Sequence, residues 1–184
     1  TPDTILISVM HANNETGTLQ PIEECAQIAR EHGIPFHTDA AQSVGKVPTR
    51  VDELGVDFLT IAGHKLYAPK GIGALYIREG RQLEPLIHGA GHEQGRRAGT
   101  ESALLTVALG EACALAGDLS GMDNVRLLRD RLWTALKDCC GDRVVLNGHP
   151  DQRLPNTLNV SFLDHLGHEL IAALPGLAVS TGSA

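Results

Sequence analysis

Ile34-Pro35-Phe36-His37-Thr38-Asp39-Ala40-Ala41-Gln42 reads as a short strand that runs out into acidic and amide side chains, and its neighbours decide the fold. Before it, Thr4-Ile5-Leu6-Ile7-Ser8-Val9-Met10 is an apolar run of strand type. Between the two, Pro21-Ile22-Glu23-Glu24 places proline at a helix start and acids in its first turn, leading an amphipathic stretch that ends at Gly33. After the quoted stretch, a loop and short helix near 40–45 lead on to Asp57-Phe58-Leu59-Thr60-Ile61, a third strand. This alternation predicts a parallel sheet with right-handed crossovers.

The fourth strand, Ala74-Leu75-Tyr76-Ile77-Arg78, follows after only the glycine- and proline-rich segment 62–72. A parallel crossover needs about a dozen residues and usually a helix, so this connection predicts an antiparallel return and a mixed sheet. From Thr100 the pattern becomes helical, with Glu101–Leu119 rich in Ala and Leu and Asp123–Lys137 carrying Val125, Leu128, Leu132 and Leu136 at helical spacing. A strand at 143–146, a loop at 147–155, a strand at 156–162 and a helix at 166–174 complete the pattern. A boundary near Ser120-Gly121 divides the chain into 1–120, around the large sheet, and 121–184, a smaller α+β lobe.

With 184 residues, 42% hydrophobic and 20% charged, the chain has a globular composition. A formal charge of -7 and scattered basic residues argue against nucleic acid as a partner. No apolar run approaches the roughly 18 residues of a membrane span, so the reading is cytoplasmic. Cys25, Cys113, Cys139 and Cys140 lack CxxC spacing and read as idle or buried thiols. A strand-like run almost at the first residue points to a chain taken from something longer.

In a mainly parallel sheet, ligands bind beyond the carboxyl ends of the strands. The three ends carry His11-Ala12-Asn13-Asn14-Glu15, Asp39-Ala40-Ala41-Gln42 and Gly63-His64-Lys65. Taken singly, Lys65 is a surface lysine, Asp39 a turn or cap residue and His64 a loop histidine. A lysine, a carboxylate and several amides on one edge are together the minimum set for pyridoxal 5'-phosphate (PLP): the amine forms an imine, and the carboxylate keeps the pyridine nitrogen protonated. His88 and His92 with Glu93 raise the thought of a metal, as do His165 and His168 with Glu169. The glycines around the first pair favour a loop, and the second reads as a solvated helix start.

His37 through Lys46, Gly63-His64-Lys65 with Tyr67, Pro69 through Tyr76, His88-Gly89 through Thr100-Glu101, Asn13 through Gly17 and Leu154-Pro155-Asn156-Thr157 together resemble the cysteine desulfurase family. The resemblance covers essentially the whole chain. It implies an α/β fold of PLP fold type I: a three-layer large domain with a mixed, mainly parallel sheet, present in part, plus part of a small α+β domain. It implies Lys65 as the Schiff-base lysine, Asp39 as partner of the pyridinium nitrogen and Gln42 as donor to the ring's phenolate oxygen. Asn14 matches the asparagine against cofactor and substrate carboxylate, and His64 a phosphate-binding histidine. Thr100 matches a threonine that reaches the phosphate in the other subunit, which implies a homodimer.

The implied reaction converts L-cysteine to L-alanine and passes sulfur to an enzyme cysteine, and from there to sulfur-acceptor proteins, as in iron–sulfur cluster assembly. Two departures stand out. Ala62 replaces a phosphate-binding serine, and the family's nucleophilic cysteine follows a turn like Thr181-Gly182-Ser183-Ala184, so it is expected just beyond Ala184. The family's amino-terminal phosphate loop and stacking histidine are also absent, so these 184 residues by themselves are expected to be inactive. Selenocysteine lyase, acting on L-selenocysteine, and a non-catalytic scaffold are the alternative readings. Retention of Lys65, Asp39 and Gln42 together argues against the scaffold.

Overall fold

The computed structural model describes Thr1 and residues 3–182. Strands β1 (Ile7–Met10), β2 (Phe36–Asp39), β3 (Phe58–Ala62) and β4 (Gly73–Ile77) form one sheet in that order. The first three are parallel and β4 returns antiparallel to β3, the mixed sheet that the short 62–72 connection predicts.

Helix α1 (Ile22–Glu31) follows Pro21, with Glu23 and Glu24 in its first turn and Arg30 in its last, each complementing the helix dipole. Ile22, Ala26 and Ala29 recur at helical spacing and face the sheet, and Gly33, at φ 66, carries the chain out of the helix. They pack with Phe36, Ala40, Leu54, Val56 and Leu59 into one core. Burying each of its larger side chains contributes about 1.5–3 kcal/mol. That core lies on the face bearing Ile7, Val9 and Ile61. The opposite face carries Ser8, Met10, His37, Asp39 and Thr60, which the register sets side by side.

Asp57 ties the strand starts together. Its buried carboxylate accepts from Phe36 N at 2.9 Å through Oδ2 and from Arg81 Nε at 2.8 Å through Oδ1. Arg78 in turn donates to Val56 O, Val51 O and Asp52, securing α2 (Val51–Leu54), a short helix that the sequence pattern does not announce. Residues 40–45 are a run of turns and not the expected short helix. Ala40 O accepts from Ser43 and Val44, Ser43 O accepts from Lys46 and Val47, and Gly45 at φ 76 prevents continuation.

Beyond the sheet, α3 (Ala103–Ala116) begins at Ser102, whose side chain accepts from Leu105 N. Then α4 (Met122–Cys140), β5 (Val144–Leu146), β6 (Val160–Phe162) and α5 (Gly167–Ala173) follow, with β5 and β6 forming a separate antiparallel pair. Two expected strands are shorter than the apolar runs that predict them: β1 starts at Ile7, leaving Ile5 85% exposed, and β6 starts at Val160 because residues 156–159 have no strand partner in the ladder.

The antiparallel return is pinched at its loop end by two glycines. A β-carbon at Gly73 would stand 2.6 Å from Ile61 O, and one at Gly63 would stand 2.7 Å from Ile72 O. Gly73→Ala is therefore expected to destabilise the full-length protein by roughly 1–3 kcal/mol, because backbone must shift to admit the methyl group. A lowered urea midpoint at unchanged slope would show it; an unchanged midpoint would mean that the strands are not this close.

Candidate active site

The parallel register brings the three strand ends to one edge. Met10 is opposite Asp39, and Asp39 is opposite Thr60. The ladder continues one residue further, with His11 N donating to Asp39 O at 2.8 Å and Ala40 N to Thr60 O at 3.0 Å. The chain thus leaves β1 at His11 and β2 at Ala40, level with Ile61, and leaves β3 two residues further on, at Gly63.

Asp39 is half-buried, and its Oδ1 accepts from Ala41 N at 2.8 Å, a local turn bond that fixes the carboxylate at the strand end. Among the described residues, Oδ2 receives no donor. Lys65 lies in a 3-10 turn, Gly63–Leu66, closed by Ala68 N donating to Gly63 O, with Tyr67 left-handed at φ 64. Leu66 and Ala68 anchor this turn against Leu109 and Ala112 of α3. Lys65 is half-buried and, among the described residues, has no hydrogen bond or ion pair.

A second lysine stands close to it. Lys46 Nζ donates to Gln42 O at 2.8 Å, and burial together with the Lys65 charge pushes the Lys46 amine below the usual lysine range. Gly45 permits the close approach of the two turns: a β-carbon there would stand 3.0 Å from Ala116 Cβ and 3.3 Å from Leu66 Cδ2. The Gln42 backbone is thereby engaged, and its side-chain amide has no partner among the described residues.

The turn carrying Asn14 is built around Asn13, whose Oδ1 accepts from Glu15 N, Thr16 N and Thr16 Oγ1. The loop before β6 holds that turn from outside. Arg153, buried at 6% exposure, donates to Thr16 O at 3.2 Å and to Asn147 O, Leu154 N donates to Gly17 O, and Asn159 Nδ2 donates to Glu15 O. Sequence reading placed Arg153 in a plain loop; its one signal is an arginine directly before the apolar Leu154-Pro155. Lys46 was likewise passed over, since only the turn at Gly45 brings it to Lys65.

Not every expected residue joins this cluster. His64 is exposed on the Lys65 turn, and Thr100 is exposed two residues before the α3 cap, with no hydrogen bond to the strand edge among the described residues. Ala62, the residue before the turn, offers no side-chain cap. Cys25 lies in α1, Cys113 in α3, and Cys139 and Cys140 at the end of α4, all as free thiols. None is fully buried, and Cys139 is exposed. Ser183 and Ala184, next to which the nucleophile is expected, lie outside the described residues. The last described residue, Gly182, runs beside the Asn14 turn: a β-carbon on it would stand 3.3 Å from Glu15 Oε2. His92–Gly95 form an irregular turn with Glu93 and Gln94 left-handed at φ 50 and 58, and no group of three or more metal-binding side chains occurs among the described residues.

Three kinds of comparison bear on this arrangement. The family model described as aminotransferase class-V matches residues 1–184. Curated relatives include cysteine desulfurase IscS of Pectobacterium carotovorum subsp. carotovorum, 50% identical over 99% of this chain and 46% of that protein. The same name is carried by a Dictyoglomus turgidum protein, 50% identical over 99% of this chain and 47% of its own. Among solved structures, a NifS-like protein superposes with TM-score 0.87 at 38% identity, covering 95% of this chain and 48% of its own. One described as SspA in complex with cysteine superposes with TM-score 0.82 at 39% identity, covering 100% and 51%. The chain spans about half the length of the curated relatives it matches.

Two measurements test the geometry. His11 is buried, its Nδ1 has no partner among the described residues, and burial lowers its proton affinity below the ordinary imidazole value of 6.5. The unfolded chain then binds more protons in that window, so stability is complete above 6.5 and falls as pH drops below it. In His11→Gln the gap between urea midpoints at about pH 7.5 and 5.5 should narrow; an unchanged gap would place the acid sensitivity elsewhere. Arg153→Met should cost about 1–3 kcal/mol, by leaving buried carbonyls unpaired. It should also speed amide exchange at Gly17 and Leu154, whereas unaltered exchange would show that Arg153 does not hold the turn.

Proposed function

Since the chain belongs to the aminotransferase class-V family, we propose that it is the PLP-binding part of a cysteine desulfurase that converts L-cysteine to L-alanine and passes the sulfur to an enzyme cysteine. The observation that carries this reading is the placement of Asp39 and Lys65 at adjacent strand ends, each with a polar atom left without a hydrogen-bond partner among the described residues. The relatives named cysteine desulfurase support it. So does the solved structure described as SspA in complex with cysteine, and it favours cysteine over selenocysteine as substrate.

The residues present fit PLP by the chemistry of the donor set. Asp39 has one carboxylate oxygen fixed by Ala41 and, among the described residues, one without a donor, which would accept from the ring-nitrogen proton. Lys65 has an amine not committed to an ion pair, Gln42 an amide N–H for the phenolate oxygen, and Asn14 an amide for the ring or the substrate carboxylate. His64 and Thr100 would serve the phosphate, Thr100 from the partner in a homodimer; Ala62 contributes no hydroxyl to it. PLP, when bound, supplies an electron-withdrawing ring beside the substrate's reacting carbon.

Lys65 Nζ would bind the cofactor and later carry protons to and from the substrate carbon as general acid and base. Asp39 would keep the ring-nitrogen proton in place through charge, and the neighbouring Lys46 adds positive potential near the same edge. The sulfur nucleophile would be a cysteine brought beside the Asn14 turn, where Gly182 runs; of the thiols present, Cys113 packs against the apolar cluster behind the Lys65 turn, and Cys25, Cys139 and Cys140 lie in α1 and α4. Residues 1–120 belong to the large domain and 121–184 to the small one, a division supported by the separate β5–β6 sheet. Sulfur-acceptor proteins, such as those that build iron–sulfur clusters, are the expected partners, in the cytoplasm. No helix among the described residues is long and apolar enough to cross a membrane.

In full-length protein, Lys65→Ala should abolish alanine release from L-cysteine, and Asp39→Asn should reduce turnover by about a hundredfold or more while PLP remains bound. Alanine and sulfide are measured together, with PLP followed by its visible absorbance. Undiminished turnover in Lys65→Ala would sink the assignment, and equal activity in Asp39→Asn would make that residue a mere turn former.

A further inference from the structure

Three polar side chains form a row across β1, β2 and β3 on the sheet face that carries Asp39. Ser8 Oγ is 2.7 Å from His37 Nδ1, and His37 Nε2 is 2.8 Å from Thr60 Oγ1. Both ring nitrogens are therefore engaged by hydroxyls, which donate and accept equally well, so the row accommodates either a neutral or a protonated imidazole. The row ends beside Asp39. Thr60 is its partner in register, and His37 lies two residues earlier on the same face of β2. The large apolar core lies on the opposite face, which leaves this polar row without a packing role there.

We propose that Ser8, His37 and Thr60 form a positioning relay for Asp39, setting the charge that the carboxylate presents to the ring nitrogen of PLP; the inference rests on the reading of Asp39 given above. Burial lowers the proton affinity of His37 and the Asp39 carboxylate raises it, so the two groups sense each other. From β1 the imidazole meets Ser8, and from β3 it meets Thr60 and Phe58, none of them charged. Asp39 is the charged group acting on it among the described residues. With His37 neutral, the full Asp39 charge is available to a protonated ring nitrogen. When His37 takes a proton, its positive charge competes for the same carboxylate and the ring nitrogen holds its proton less firmly. His37, Ser8 and Thr60 touch neither ring nor substrate in this scheme; they act through Asp39.

The test is a pH titration of the visible absorbance of PLP bound to full-length protein, with wild type compared against His37→Gln, Thr60→Val and Ser8→Ala. The wild-type profile should contain an inflection that His37→Gln removes, with PLP retained, and that Thr60→Val and Ser8→Ala shift by about one pH unit. Ser8 is exposed, so its variant carries the test if a change at His37 impairs folding. Nitrogen-15 NMR of PLP-free protein should also show His37 as a neutral ring near neutral pH that takes up a proton as the pH falls. Identical titrations in wild type and all three variants would overturn the relay, and so would a His37 ring that is already protonated near neutral pH. If wild type takes up no PLP, or Asp39→Asn leaves the titration unchanged, the reading of Asp39 itself is what fails, and the relay falls with it.

Discussion

Everything at the candidate site depends on the parallel register of β1, β2 and β3. Because Met10, Asp39 and Thr60 stand in one row, β1 and β2 end level with each other and β3 ends two residues beyond, so residues distant in sequence emerge at one edge. A slip of one residue in β2 would send Asp39 to the helix-covered face and bring Thr38 to the open one. Asp57 guards against that slip at the opposite end of the strands, since its carboxylate is bonded to Phe36 N and held by Arg81. A buried acid remote from the chemistry thus controls which side chains reach it.

Two further supports fix the loops that the register delivers. The Lys65 turn is pressed against α3 by Leu66 and Ala68, and the Asp39–Gln42 turn meets it through Gly45, where a larger residue would push the two apart. The Asn14 turn is held instead from the loop preceding β6, by Arg153, Leu154 and Asn159. The strand edge is therefore braced from both halves of the chain. One brace is apolar and continuous with a core; the other consists of hydrogen bonds to backbone carbonyls.

Much of this was legible in the residues alone. Alternating strand and helix signals with short connections give the sheet order, and the length of 62–72 gives the direction of β4, because these are local properties of the chain. The strand-end positions of Asp39 and Lys65 follow from the same reading. What escaped it depends on partners far away in sequence. Helix α2 is held by Arg78 through Val51 O and Asp52, Arg153 is buried because the Asn13–Thr18 turn folds over it, and Lys46 is brought toward Lys65 by the geometry at Gly45. Residues 40–45 carry helix-forming side chains, yet bifurcated bonds to Ala40 O and the left-handed Gly45 make them turns.

The antiparallel return of β4 bears on how the molecule assembles itself. β3 and β4 are joined by residues 63–72 alone, whereas the parallel pairs must close over residues 11–35 and 40–57. Loop closure costs less entropy the shorter the loop, and local pairings form faster than distant ones. The hairpin that presents Lys65 is thus the cheapest long element of the sheet to nucleate, and β2 and then β1 add to an edge already formed. In kinetic terms the lysine's turn is a seed of the fold, and the partners assigned to it arrive last.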